Sequence, residues 1–232
     1  MAIQLFLQDH FLFVGPPSNP AKILDRDRIP TIFNKIAASG NRDLTVNLEI
    51  DHRNLSLTFP SQIPPDPAVR PPTRFLSRFD KSATNIKESQ LFVSAGQVIH
   101  GDLFIIFVHT DSLQVPWALS YSKWYHQYSQ YPLNALAAAA TLSEYTLTDL
   151  STWITSPDSV KSRLKIFKSG SDDDPNDPLL NPAHALYGAR VRPENAIIGE
   201  AFMDWLVEPD GGQKVIRTFT KNGQVVVTEA PR

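Results

Sequence analysis

Apolar and polar positions divide this chain of 232 residues into runs of two different periods. Near the amino end, "LFLQDHFLFVGPP" is apolar almost throughout and is closed by Gly15, Pro16 and Pro17. It predicts one long strand, or two in succession. In "RIPTIFNKIAASG", Ile32, Phe33 and Ile36 fall at helical spacing, and Gly40 is placed as a C-cap. Residues 41–74 are polar, irregular and rich in proline, which reads as a flexible loop with a short strand "LTVNLEI" inside it. "SATNIKESQLFVSAG" predicts a helix capped by Ser82 or Thr84, with Glu88 in its early part. An aromatic stretch follows, then Ala137–Ala140 between leucines, the pattern of a helix packed closely on a neighbour. "YTLTDLSTWI" reads as strand, turn and helix, and "RLKIFKSG" and "ALYGARVRP" as strands. "IIGEAFMDWLVEPDGGQKVIRTF" reads as a helix pair broken at residues 209–212. Strands alternating with helices predict an α/β fold.

Composition narrows the possible functions. A net charge of −2 and a pI near 6.3 argue against a general nucleic-acid or membrane-surface binder, so any anion site must be local. With no cysteine, disulfides, thiolate metal sites and cysteine nucleophiles are excluded. The amino end lacks a basic n-region, and Gln8, Asp9 and His10 interrupt its apolar run, so it reads as a strand rather than a signal peptide. The run "LFIIFV" is too short to span a bilayer. The six histidines are scattered without metal-ligand spacing. "SDDDPNDP" lacks the closing Glu and the turn glycine of a calcium loop and reads as a solvated loop. No nucleophile elbow, P-loop or dinucleotide fingerprint occurs, so no enzymatic activity, cofactor or metal is expected.

The candidate chemistry lies in "LSRFDKSATN", residues 76–85. Unpaired N–H groups and the dipole at a helix start favour an anion. Ser82 and Thr84 add hydroxyl donors, and Arg78 a planar fork suited to a tetrahedral oxyanion. Asp80 would oppose an anion, and is expected instead to hold Arg78 or a backbone N–H. The same residues also suit a plain helix cap beside a surface arginine.

Six stretches, in order, resemble the tungstate-binding family of ABC-transporter substrate-binding proteins. "QDHFLFVGPPSNPA" resembles that family's "NDFVIVGPxxDPA", "IFNKIAASG" its "alkkIaeag", and "LSRFDKSAT" its "SRGDxSGT". "LAAAATLSEYTLTDLSTWI" resembles "LxxAsekxAYTLtDrgTyl", and "DPLLNPAHALYGARVRPEN" resembles "GDpxLLNpYgVIpVNP". "AFMDWLVEPDGGQKVI" resembles "aFiDWLtSpEGQklI". The resemblance implies a type II periplasmic-binding-protein-like α/β fold. It also implies a non-enzymatic receptor, extracytoplasmic in the family, that closes an interlobe cleft on tungstate or possibly molybdate and delivers it to an ABC transporter permease. Carried over, the implied ligands are Ser77, Arg78, Ser82 and Thr84, with Tyr145, Thr146 and Thr148 lining or supporting the cleft.

The chain departs from the family pattern in three respects. Phe79 and Ala83 stand where the family loop carries glycine. The family's opening strand, with its "TTTS" donor loop, has no counterpart. The expectation is therefore one complete lobe plus the C-terminal helices of the other, with an exposed apolar patch around Phe202 and Trp205. In that reading residues 1–20 are a crossover strand and loop, 21–165 the second lobe, and 166–232 the return crossover and the first lobe's C-terminal helices. Residues 41–70 and 98–114 look inserted. The borders of the second suit a retained intron, and a genuine extra hairpin is the other reading. A degenerate protein that keeps the fold without the ligand is the alternative function, favoured by the absent donor loop.

Overall fold

The computed structural model describes residues 2–45, 73–95, 124–188, 190 and 192–230. The elements run β1 (Ala2–Gly15), α1 (Ile29–Thr45), β2 (Phe75–Ser77), α2 (Ala83–Ser94), β3 (Tyr125–Gln127), α3 (Pro132–Leu142), β4 (Tyr145–Asp149), α4 (Leu150–Thr155), α5 (Asp158–Lys161) and β5 (Lys165–Ser169). They continue with β6 (Leu180–Tyr187), α6 (Pro193–Val207), α7 (Gly212–Thr218), β7 (Thr220–Lys221), β8 (Gln224–Val225) and β9 (Thr228–Glu229). The chain forms two compact units: residues 1–12, 148–158 and 168–232 make the first, and residues 13–147 and 159–167 the second.

The second unit is built on strands in the order β3-β2-β4-β1-β5. β2 runs parallel to both β3 and β4, pairing Phe75 with Tyr125 on one side and with Tyr145 on the other. A strand covered on both faces needs apolar residues at successive positions. Phe13 and Val14 of β1 are accordingly both fully buried. Aromatic rings fill the interior: Phe33 meets Phe92 edge-on at 4.5 Å, Phe75 meets Phe92 at 5.3 Å, and Phe13 stacks on Tyr145 at 5.9 Å. Leu76 packs against Ala135 and Ala139 of α3, where small side chains let the helix approach the sheet. Ser143 takes the left-handed conformation (φ 58) that ends α3.

Gly40 corrects one sequence expectation. It does not cap α1, because the helix runs on to Thr45. A Cβ at Gly40 would stand 2.3 Å from the Cβ of Trp124, so the glycine serves close packing inside the helix. "LTVNLEI" opens in the last turn of α1 and is otherwise outside the described residues, as are nearly all of 41–70 and the whole of 98–114.

Beneath the β2–β4 pair lies a buried ion cluster. Glu144, 1 % exposed at its side chain, takes Arg74 Nη1 at 2.9 Å on one oxygen and His126 Nδ1 at 2.7 Å on the other. It stands just before β4, as Arg74 stands just before β2, and Tyr145 N–H donates to the Arg74 carbonyl at 2.9 Å.

In the first unit the amino half of β1 pairs antiparallel with β6, from Ala2 opposite Tyr187 to His10 opposite Leu180, with an irregularity between Leu5 and Leu7. It also pairs with β9 at Leu7 and Gln8. Gln213 ties α7 into this unit: its amide donates to the carbonyls of Phe6 (2.8 Å) and Leu206 (2.7 Å) and accepts from Ala230 N–H (3.1 Å). Phe202 and Trp205 of α6 are exposed and stack on each other at 5.9 Å, beside exposed Ile197 and Ile198. The acidic stretch 171–178 is a largely exposed loop, held by local bonds. Asp177 accepts from Ser171 and Leu179 N–H, and Asp172 accepts from Gln8 and faces His10 Nε2 at 3.0 Å. Among the described residues, no helix is long and apolar enough to cross a membrane.

Candidate functional site

β2 ends at Ser77, and the chain must turn from the carboxyl end of a parallel strand into α2, the position where α/β folds place their ligands. The turn is tight. Phe79 (φ 44) and Lys81 (φ 61) are both left-handed, a conformation costly for side chains of this size unless local bonds hold it. Such bonds are present. Ser77 Oγ accepts from Phe79 N–H at 3.2 Å, and Asn85 Oδ1 accepts from Lys81 N–H at 3.1 Å. Ser129 Oγ donates to the Phe79 carbonyl at 3.1 Å.

Ser82 is the N-cap of α2, its Oγ accepting from Asn85 N–H at 3.4 Å. Replacing Ser82 by alanine is expected to lower stability by about 1 kcal/mol, read as a shift of the urea midpoint with an unchanged slope. Asp80 does both things expected of it. One oxygen accepts from Ser82 N–H at 3.0 Å, and the other is paired with the Arg78 guanidinium. Burial works against its charge, but the Ser82 hydroxyl and N–H together with Arg78 outweigh it and hold the carboxyl below the usual range.

Arg78 is the charged centre of the loop. Its side chain is 11 % exposed, Nη1 donates to Thr84 Oγ1 at 3.3 Å, and Nε is buried with no hydrogen-bond partner. Ser77, Arg78, Ser82 and Thr84 thus stand together around one turn. Ser77 is fully buried and committed to the turn itself, and Thr84 is buried against Arg78.

The β4 residues are placed differently. Tyr145 is fully buried. Its hydroxyl donates to Asn19 Oδ1 at 3.0 Å and accepts from Ala21 N–H at 3.1 Å, so it braces the turn after β1. Burial pushes its phenol up to about 12. Gly15 lies against the same ring, where a Cβ would come within 2.1 Å of it. Thr146 Oγ1 donates to the Leu76 carbonyl at 2.8 Å, behind the loop. Thr148 is buried on β4 within the first unit.

A buried polar layer lies next to the loop. Glu88, in the second turn of α2, is 1 % exposed and accepts from Tyr125 OH at 2.6 Å. Asn85 Nδ2 donates to Ser77 Oγ at 3.4 Å. Burial dominates the ionisation of Glu88 and raises its carboxyl to about 8. Burial and the Glu88 charge likewise push the Tyr125 phenol far up. The signal for this layer was a polar face, Asn85, Glu88 and Ser89, on a helix that buries the same side as Leu91 and Phe92.

The loop offers a guanidinium, hydroxyls and first-turn N–H groups, with its one carboxylate paired inside the turn. That donor set suits an anion rather than a bare cation. Among the described residues no group of three or more His, Asp or Glu is placed to hold a metal ion.

No protein-family model and no curated protein matches the chain. Solved structures do. A crystal structure of a "periplasmic putative metal binding protein" is 40% identical over all of this chain and 69% of its own, with a TM-score of 0.75. The tungstate-binding protein TupA from Desulfovibrio alaskensis G20 shares the fold at 22% identity, over all of this chain and 71% of its own, with a TM-score of 0.61. The tungstate ABC transporter from Geobacter sulfurreducens shares it at 21% identity, over 94% of this chain and 68% of its own, with a TM-score of 0.53. The tungstate-binding family picked out by the six stretches is therefore among those with this fold. The chain belongs to the family of periplasmic binding proteins represented by the 40%-identical structure, and it has their type II periplasmic-binding-protein-like fold.

Proposed function

We propose that the chain binds a tetrahedral oxyanion, tungstate in preference to molybdate, at the loop of residues 77–84. The observation that carries this reading is Arg78. Its guanidinium is nearly buried, fixed by Asp80 and Thr84, and keeps an unpartnered Nε beside the N-terminus of α2. A fixed guanidinium next to helix N–H groups recognises an oxyanion without reorganising. Ser82 supplies a hydroxyl at the same helix end, and Thr146 ties β4 to β2 behind the loop. Selectivity then follows anion size and donor geometry. Solved proteins of this fold with tungstate in their names support the choice of anion. By the same likeness, the chain acts as an extracytoplasmic receptor handing its anion to a transporter permease, with no catalytic step.

The test is calorimetric titration and thermal melting with sodium tungstate, molybdate and sulfate. Tungstate at ~100 times its dissociation constant should stabilise the chain by about 2.7 kcal/mol, visible as a rise in Tm. Arg78→Ala should lose about 1.5–3 kcal/mol of binding, a tenfold to hundredfold weakening. Equal affinity in wild type and Arg78→Ala, or no heat with any of the three anions, would sink the reading.

A further inference from the structure

The two units differ in how well their sheets are covered. In the second unit Phe13, Phe75 and Leu76 are fully buried. In the first, Ile3 of β1 stands opposite Leu186 of β6, and the pair is exposed at 55 % and 68 %. Side chains alternate across a strand, so Tyr187, next to Leu186, faces the other way. That is the side α6 takes. The Tyr187 hydroxyl donates to the Ala196 carbonyl at 3.2 Å, and a Cβ at Gly199 would come within 2.1 Å of the Tyr187 ring.

α6 itself is apolar on two sides. With about 3.6 residues per turn, Ala196, Gly199, Met203 and Leu206 form the side turned to the unit. Ile197, Ile198, Ala201, Phe202 and Trp205 form the next side, and all five are exposed, while Glu200 and Asp204 form a third. A surface helix needs one apolar stripe, and a second stripe calls for a second partner. The edge of the sheet is open as well. Among the described residues β6 pairs with β1 alone. Beyond Pro182, residues 183–187 carry no lysine, acid or proline, the devices that keep an exposed edge from pairing.

We propose that this part of the first unit is a docking surface for one further polypeptide segment, which adds a strand to the open edge of β6 and covers both the outer stripe of α6 and the Ile3–Leu186 face. The occupant is the part of the fold that the relatives carry and this chain does not. The chain spans 69% of the 40%-identical periplasmic protein and 71% of TupA, so about three-tenths of each has no counterpart here. The exposed apolar side chains assign that part to the first unit. Strand addition meets all three features at once: backbone groups pair at the β6 edge, the new strand extends the sheet beside α6, and its flanking chain covers the opposite face. Two copies of this chain joined edge to edge at β6 would extend the sheet but bring no cover for Ile3 and Leu186.

The probe is the part of the 40%-identical protein that lacks a counterpart, made as a separate untagged polypeptide and co-expressed with the tagged full chain. Tungstate is left out, so that the outcome does not depend on the oxyanion reading. The two should be recovered together and run as a one-to-one complex in size-exclusion chromatography with light scattering. Hydrogen exchange at the amides of residues 183–187 should slow in the complex. Ile198→Asp with Phe202→Asp alters only exposed side chains, so the chain should melt as wild type does, yet hold the probe about thirtyfold or more weakly. No recovery of the probe with the chain, or a complex indifferent to the double substitution, would overturn the proposal. So would a chain that dimerises by itself and becomes monomeric on that substitution, because a second copy would then hold the face.

Discussion

Glu144→Ala is expected to be among the most damaging single changes to this chain, lowering stability by about 3–5 kcal/mol. The reason is what it leaves behind. Glu144 is 1 % exposed at its side chain and holds Arg74, 15 % exposed, and His126, 24 % exposed. Alanine would remove the buried carboxylate that the Arg74 guanidinium and the His126 ring share, and would open the step from α3 into β4. Glu144→Gln keeps the shape and one acceptor, and should cost less than alanine. The measurement is urea denaturation of the three proteins at one pH, comparing midpoints at constant slope. A loss below about 1 kcal/mol for Glu144→Ala would mean that the pair behaves as a surface ion pair.

The second large effect is on the pH dependence of stability. Glu88 has an ordinary value of 4.5 and is raised to about 8 in the folded chain, chiefly by burial. Between those values the folded state holds a proton that the unfolded state has released, so raising the pH favours unfolding. The stabilisation is complete below about pH 4.5, falls through the interval, and is gone above about pH 8. At one pKa unit per 1.4 kcal/mol the full change is on the order of 5 kcal/mol. Asp80 and Asp172 act in the opposite sense at lower pH: both are held below their ordinary value of 3.8, and their contribution is lost as the pH falls through their folded values. Glu88→Gln isolates the glutamate. Its urea midpoint should exceed that of wild type at about pH 9, with the gap closing toward about pH 5. Parallel midpoints in the two proteins across that range would show that Glu88 ionises freely in the folded chain.

Much of the architecture was legible from local pattern. The apolar run before Gly15 became β1, Ile32, Phe33 and Ile36 became the buried face of α1, and Ser82 became the cap of α2. In each case the residues that define the element are neighbours in sequence, so period and capping chemistry suffice. The turn at Arg78 was legible for the same reason, since hydroxyls, a guanidinium and a helix start fall within ten residues.

Tertiary structure decided the rest, because those features depend on partners far apart in the chain. Gly40 looked like a helix end and is instead the point where Trp124 touches α1. Glu88 looked like an acid early in a helix, and it is buried in contact with Tyr125, thirty-seven positions away. Glu144 gave no local sign of being an ion-pair centre, since Arg74 and His126 reach it only when β2, β3 and β4 pair. The sequence by itself determined which of the described segments become strands and helices, and that hydroxyls and a guanidinium gather at one helix start. Only the packed sheet decided which polar side chains lost their water, and it is that loss that makes Glu144 depend on its ion partners and lets Glu88 hold a proton.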